Sequence, residues 1–254
     1  MKYKFIPVDN NINKAVAFAN TLDANNIKNV QRIKTKEFYI PTIEVVEKLQ
    51  DEGWMIKGVA EHRMKKNRKI TANYVQLHHP DFELLNKNGK SEAVSSLTIT
   101  NSCNGKSPLT MDLGFYRQIC SNGAIMFDKH GESTQIKHTE INFNNLQSFI
   151  NNINNKSDKV LERFGIYQNK HMTVEQAIEF ASKAARLKHR PEDITPRMVE
   201  NLLQVNRMED EGDNLWSVFN RVQESLTEEV NDFNLDIRLN KQLSSLTEQY
   251  ILAN

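Results

Sequence analysis

The chain has 254 residues, with 33 Lys and Arg against 32 Asp and Glu and 39% hydrophobic residues. That length suits a main domain with a smaller helical part and a sizeable core, and the composition excludes a globally disordered chain. The near-zero net charge excludes a whole-protein basic field, so contact with a polyanion requires a local patch.

Met1 to Val8 reads as a short strand, Asn11 to Asn20 as a short helix and Asn25 to Thr35 as a polar loop. Thr42 to Glu52 reads as a helix. Thr42 is its expected cap, Glu44 and Glu47 suit its first turns, Ile43, Val46 and Leu49 form its stripe, and Gly53 can end it. Trp54 to Arg63 and Ile70 to His79 read as the arms of a β-hairpin with its tip at Met64 to Lys69. Arg63, Lys65, Lys66, Arg68 and Lys69 place five cations within seven residues. Asp81 to Glu92, with Asn88-Gly89, reads as a polar loop.

Ala93 to Phe127 is the stretch around which the rest is organised. Val94 to Thr100 alternates with period two, so Leu97 and Ile99 share one face and Thr98 and Thr100 the other. Asn101 to Gly105 is a turn, because Asn and Gly tolerate left-handed backbone and Ser and Asn bond their own main chain. Leu109 to Phe115 is a second apolar run, Arg117 to Gly123 a second turn ending in Asn-Gly, and Ala124 to Phe127 a further buried segment. Thr134 to His138 reads as one more strand.

From Asn142 the period becomes helical. Phe143 to Phe164 is one candidate helix, although its polar middle, Asn151 to Asp158, also permits two shorter ones. Thr173 with Gln176 forms a capping box, and Thr195-Pro196 is a cap followed by proline at the first helical position. Asp213 is the expected cap of the helix carrying Leu215, Trp216, Phe219, Val222 and Leu226. Ile237 to Tyr250 is the last helix. The expected class is α+β: an antiparallel sheet with a flanking helix in residues 1–140, and a helical region in 141–254 packed on it.

The pattern NSxxGxSxLxxxxGFYRxICSNGAI, from Asn101 to Ile125, resembles the phage/plasmid-like protein family (domain of unknown function 932) of phages, prophages and plasmids. Lys137-His138-Thr139, the Asn214-Leu215-Trp216 helix with Asn220 and Gln223-Glu224, and the last helix with Arg238-Leu239-Asn240 and Leu243 are similar to its other motifs. The resemblance runs from Pro41 to Tyr250 and marks Asn101, Ser102, Gly105, Ser121, Asn122 and Gly123 as family-motif turn residues. At Cys103-Asn104 the chain departs from the family pattern, which carries His-Asp there, so any catalysis by that pair would be lost. The resemblance implies a mobile-element protein without a settled biochemical role.

The basic hairpin tip is the sharpest candidate site. Arg63, Lys65, Lys66, Arg68 and Lys69 suit a phosphate backbone, where each neutralised phosphate releases counterion, although Lys-rich tips also serve solubility. Trp54, Tyr74 and Tyr39 are the nearby rings that could stack on bases, though such rings are more often core. The turns around Gly105 and Gly123 could present backbone N–H groups to an anion, with Arg117 beside one of them. Lys183, Arg186, Lys188, His189 and Arg190 sit at a helix C-terminus, where cations complement the dipole anyway.

No metal or cofactor is expected. His78 and His79 are adjacent on a strand and point to opposite faces, and no CxxC or HExxH spacing joins them to His130, His138, Cys103 or Cys120. Two cysteines cannot build a disulfide framework, and no 18-residue apolar run or signal segment is present. A soluble protein in the cytoplasm of a bacterial host, without a membrane partner, is expected.

The leading functional expectation is a non-enzymatic protein that binds single- or double-stranded DNA in replication or recombination. The alternative is a protein-interaction or counter-defence factor that binds and inhibits a host protein. The third is a hydrolase or nuclease built around Cys103, Asn104, Arg117 and His138. Oligomerisation is left open by all three.

Overall fold

A computed structural model describes residues 6–7, 39–63, 70–85, 91–102, 107–116, 125–127, 133–230 and 233–252. The segments expected at Asn11 to Asn20 and Asn25 to Thr35 lie outside them. One antiparallel sheet takes its strands in chain order: β1 (Ile6–Pro7), β2 (Met55–Arg63), β3 (Ile70–Leu85), β4 (Ser91–Ser102), β5 (Leu109–Tyr116) and β6 (Ile125–Phe127). The outer edge of β5 is shared: β6 pairs with Gly114–Tyr116, and β7 (Thr134–Ile136) pairs with Leu109–Met111.

The strand period divides the sheet into two unlike faces. On one, Val75 and Leu77 lie opposite Ile99 and Leu97, which lie opposite Met111 and Leu113, and all six are buried. This face packs on α1 (Thr42–Asp51) and α3 (Leu146–Asn169), with Phe115 against Phe164 and Tyr167. The other face is polar. Gln76, Thr98 and Asp112 form one cross-strand row, flanked by Tyr74 with Thr100 and by His78 with Ser96.

The helical part comprises α2 (Glu140–Asn144), α3, α4 (Val174–Ala185), α5 (Pro196–Leu203), α6 (Leu215–Thr227) and α7 (Phe233–Leu252). One buried cluster joins it to the sheet, from Ile40 and Leu97 through Phe164 to Phe219 and Leu243. The chain is therefore α+β, as its periods imply. No described helix is long and apolar enough to cross a membrane.

Several local expectations hold. Gly53 follows α1 with φ +92°, a backbone that favours glycine. Thr173 and Gln176 make the reciprocal capping box, and Thr195 caps α5 with Pro196 at its first position.

Others are corrected. The residue preceding α1 is Pro41; Thr42 is already helical, and its buried hydroxyl bonds Asn73 instead. The cap of α6 is Asn214, whose Oδ1 accepts from the Ser217 N–H at 2.8 Å, while the Asp213 carboxylate meets His171 at 2.8 Å. Most of Asp81 to Glu92 is strand, since Glu83, Leu84 and Leu85 pair with Val94, Ala93 and Ser91. The ladder slips between His78 and Glu83, where Pro80 has no N–H to give. The polar middle of α3 does not divide it: Ile150, Ile153, Ser157, Phe164 and Tyr167 keep one buried face along 24 residues, and the asparagines fall largely outside it.

Candidate functional site

The sheet registers sort the predicted residues by end. Arg63 pairs with Ile70, Ala72 with Ser102, Thr100 with Thr110 and Leu109 with Ile136. Arg63 and Ile70, Ser102 and Ser107, and His138 therefore share one end of the sheet. Tyr116 pairs with Val94 and Ile125 at the other end, and Arg117 directly follows it. At about 3.4 Å per residue, β5 separates the two ends by roughly 25 Å. Tyr116 and Arg63 therefore stand at opposite ends of the sheet.

Lys65, Lys66, Arg68 and Lys69 lie outside the described residues, as do Arg117, Cys103, Gly105, Cys120, Ser121, Asn122 and Gly123. Arg63 is placed by its strand position, the last of β2. The rings expected to stack on bases are otherwise engaged. Trp54 is 1% exposed and donates its indole N–H to Asn154 at 2.8 Å; Tyr74 is 2% exposed and packs against Ile237. Tyr39 stacks on the His138 ring at 5.1 Å.

His138 and Asn101 organise the shared end. The Ile40 N–H donates to His138 Nδ1 at 3.1 Å, which assigns the ring proton to Nε2, 3.0 Å from the Ser107 carbonyl. The imidazole is buried, neutral and occupied at both nitrogens. It holds the chain entering α1 against the end of the first turn. Ser102 closes that turn: its hydroxyl donates to the Ser107 carbonyl at 2.9 Å and accepts from the Ser107 N–H at 3.2 Å.

Asn101 and Asn73 face each other across β4 and β3 and hold Thr42 between them. The Asn101 amide donates to Thr42 Oγ1 and to the Ile40 carbonyl, both at 3.0 Å, and Thr42 donates on to Asn73 Oδ1 at 3.0 Å. These groups are fully buried, so each bond also avoids an unpaired polar atom. The turn motif thus fixes the start of α1. With His138 occupied in this way, an arrangement in which it activates a nucleophile has no free ring nitrogen to use.

The adjacent histidines His78 and His79 behave differently. His79 is buried; its Nε2 lies 3.0 Å from the Glu52 carbonyl and its Nδ1 accepts from the Asp81 N–H at 3.2 Å. His78 lies on the polar face with its Nδ1 unpartnered. Burial first, then the nearby Lys57 and His79, lowers its pKa. The two histidines share no partner, and among the described residues no group of three His, Cys, Asp or Glu is placed to hold a metal ion.

In the second basic cluster, Lys183 pairs with Glu179 at 2.6 Å and lies 5.2 Å from the Tyr250 ring centroid. Lys188 donates to the Leu226 carbonyl at 3.1 Å. Sequence reasoning missed Thr42, Asn73 and Ser107 at the shared end, and Lys241, which reaches from α7 to Asp112 on the polar face at 2.7 Å. Their partners lie 31 residues away or more except for Ser107, so no local pattern announces them.

The family described as "Domain of unknown function (DUF932)" matches residues 37–247. Two relatives, the UPF0380 proteins YfjQ and YafZ of Escherichia coli (strain K12), are each 25% identical to the chain. The alignments cover 230 and 228 residues, 83% of this chain and 81% of each relative. No solved structure matches it.

Proposed function

We propose, for a chain that belongs to the DUF932 family of domains of unknown function, that it contacts nucleic acid through the β2–β3 hairpin, as a non-enzymatic protein of a mobile element. The observation that carries this reading is the Arg63–Ile70 pairing. It makes 64–69 the connection of two long paired strands, and that connection holds Lys65, Lys66, Arg68 and Lys69. Clustered cations there neutralise phosphates and release counterions without reading sequence.

Trp54 and Tyr74 belong to the core, so affinity comes from charge rather than from those rings. The occupied nitrogens of His138 favour a binding role over a catalytic one. The resemblance to phage and plasmid proteins supplies the setting, the cytoplasm of a bacterial host.

Fluorescence anisotropy with labelled single- and double-stranded oligonucleotides across a salt series tests the reading. Binding should weaken steeply with salt. Neutralising Lys65, Lys66, Arg68 and Lys69 together should flatten the logarithmic salt slope by about 3, at about 0.7–0.9 per phosphate contact. No binding at low salt by folded protein, or an unchanged slope in the variant, overturns it.

A further inference from the structure

We draw no further inference here: the strongest candidate, the polar face of the sheet on which the buried Thr98 hydroxyl stands unpartnered between Gln76 and Asp112, carries nothing, because α7 already lies on it through Ile237 against Tyr74 and Lys241 on Asp112 and nothing among the described residues shows what else covers it.

Discussion

Ile40 and His138, 98 residues apart in sequence, are joined by a 3.1 Å hydrogen bond from a main-chain N–H to an imidazole nitrogen. The other ring nitrogen holds the Ser107 carbonyl, so one side chain ties the entry to α1 to the end of the first turn. A structural role makes a definite prediction. His138→Phe preserves the stacking partner of Tyr39 but leaves the buried Ile40 N–H without its acceptor, while the Ser107 carbonyl keeps the Ser102 hydroxyl. The variant should lose about 1–3 kcal/mol for the one group stranded. Urea denaturation reads this directly. A variant as stable as the parent would free His138 for a chemical role.

Asn101 extends the same logic. Replacing it with Ala removes donors to Thr42 and to the Ile40 carbonyl inside a buried site. The cost should be about 2–4 kcal/mol, and hydrogen exchange at the first turn of α1 should accelerate more than in α6. Uniform acceleration would mean that Asn101 supports the whole sheet rather than the α1 junction.

The contrast between these residues and the fold explains what was legible beforehand. The strands from Val94 to Phe115 declare their two faces through a period of two, and the caps at Thr173 and Thr195 bond a backbone N–H three residues on, so both are written in local pattern. Asn101 was recognisable as a turn residue, yet its partners Ile40 and Thr42 lie 61 and 59 residues earlier. Only the β3–β4 register places Asn73 opposite it. The alternation that put Thr98 and Thr100 together did not indicate that their face would also be buried, with Thr98 0% exposed and its hydroxyl unpartnered. Burial depends on what covers a face, and here α7 supplies Lys241 from 129 residues away.

Gly53 is constrained twice. Its φ of +92° strains any residue with a side chain, and a Cβ there would lie 2.8 Å from His79 Nε2. Gly53→Ala should therefore destabilise by about 1–3 kcal/mol and displace the His79 bond to the Glu52 carbonyl. A thermal melt gives the first number, and the His79 ring resonances give the second. An unperturbed His79 spectrum would contradict the close approach.

Glu248 is fully buried in α7 and accepts from both Arg163 and Tyr167 of α3. Burial, followed by the adjoining carboxylate, raises the Tyr167 pKa strongly. Glu248→Ala takes this acceptor from the buried Tyr167 phenol and the partly exposed Arg163 guanidinium and should cost about 2–4 kcal/mol. The triple change Arg163→Met, Tyr167→Phe, Glu248→Leu should recover most of that loss, because no polar group is then left unpaired. Equal instability of the single and triple variants would show that packing, not the charge network, dominates the α3–α7 contact.

Asp236 gives the fold a pH dependence whose sign follows from burial. Its pKa is raised to about 6, because desolvation outweighs the bond that Asn240 Nδ2 gives to Oδ1 at 3.1 Å. The unfolded carboxyl titrates near 3.9. Below that value both states carry the proton and Asp236 imposes no penalty. As pH rises from about 4 through about 6, the unfolded chain ionises first, so this residue progressively destabilises the fold and the loss is complete above its folded pKa. Asp236→Asn keeps the acceptor for Asn240 and removes the ionisation. The variant should match the parent near pH 4 and exceed it by about 1–3 kcal/mol near pH 7.5, at about 1.4 kcal/mol per pKa unit. Paired denaturation curves at the two pH values decide the matter: a difference of equal size at both would mean that Asp236 does not titrate between them.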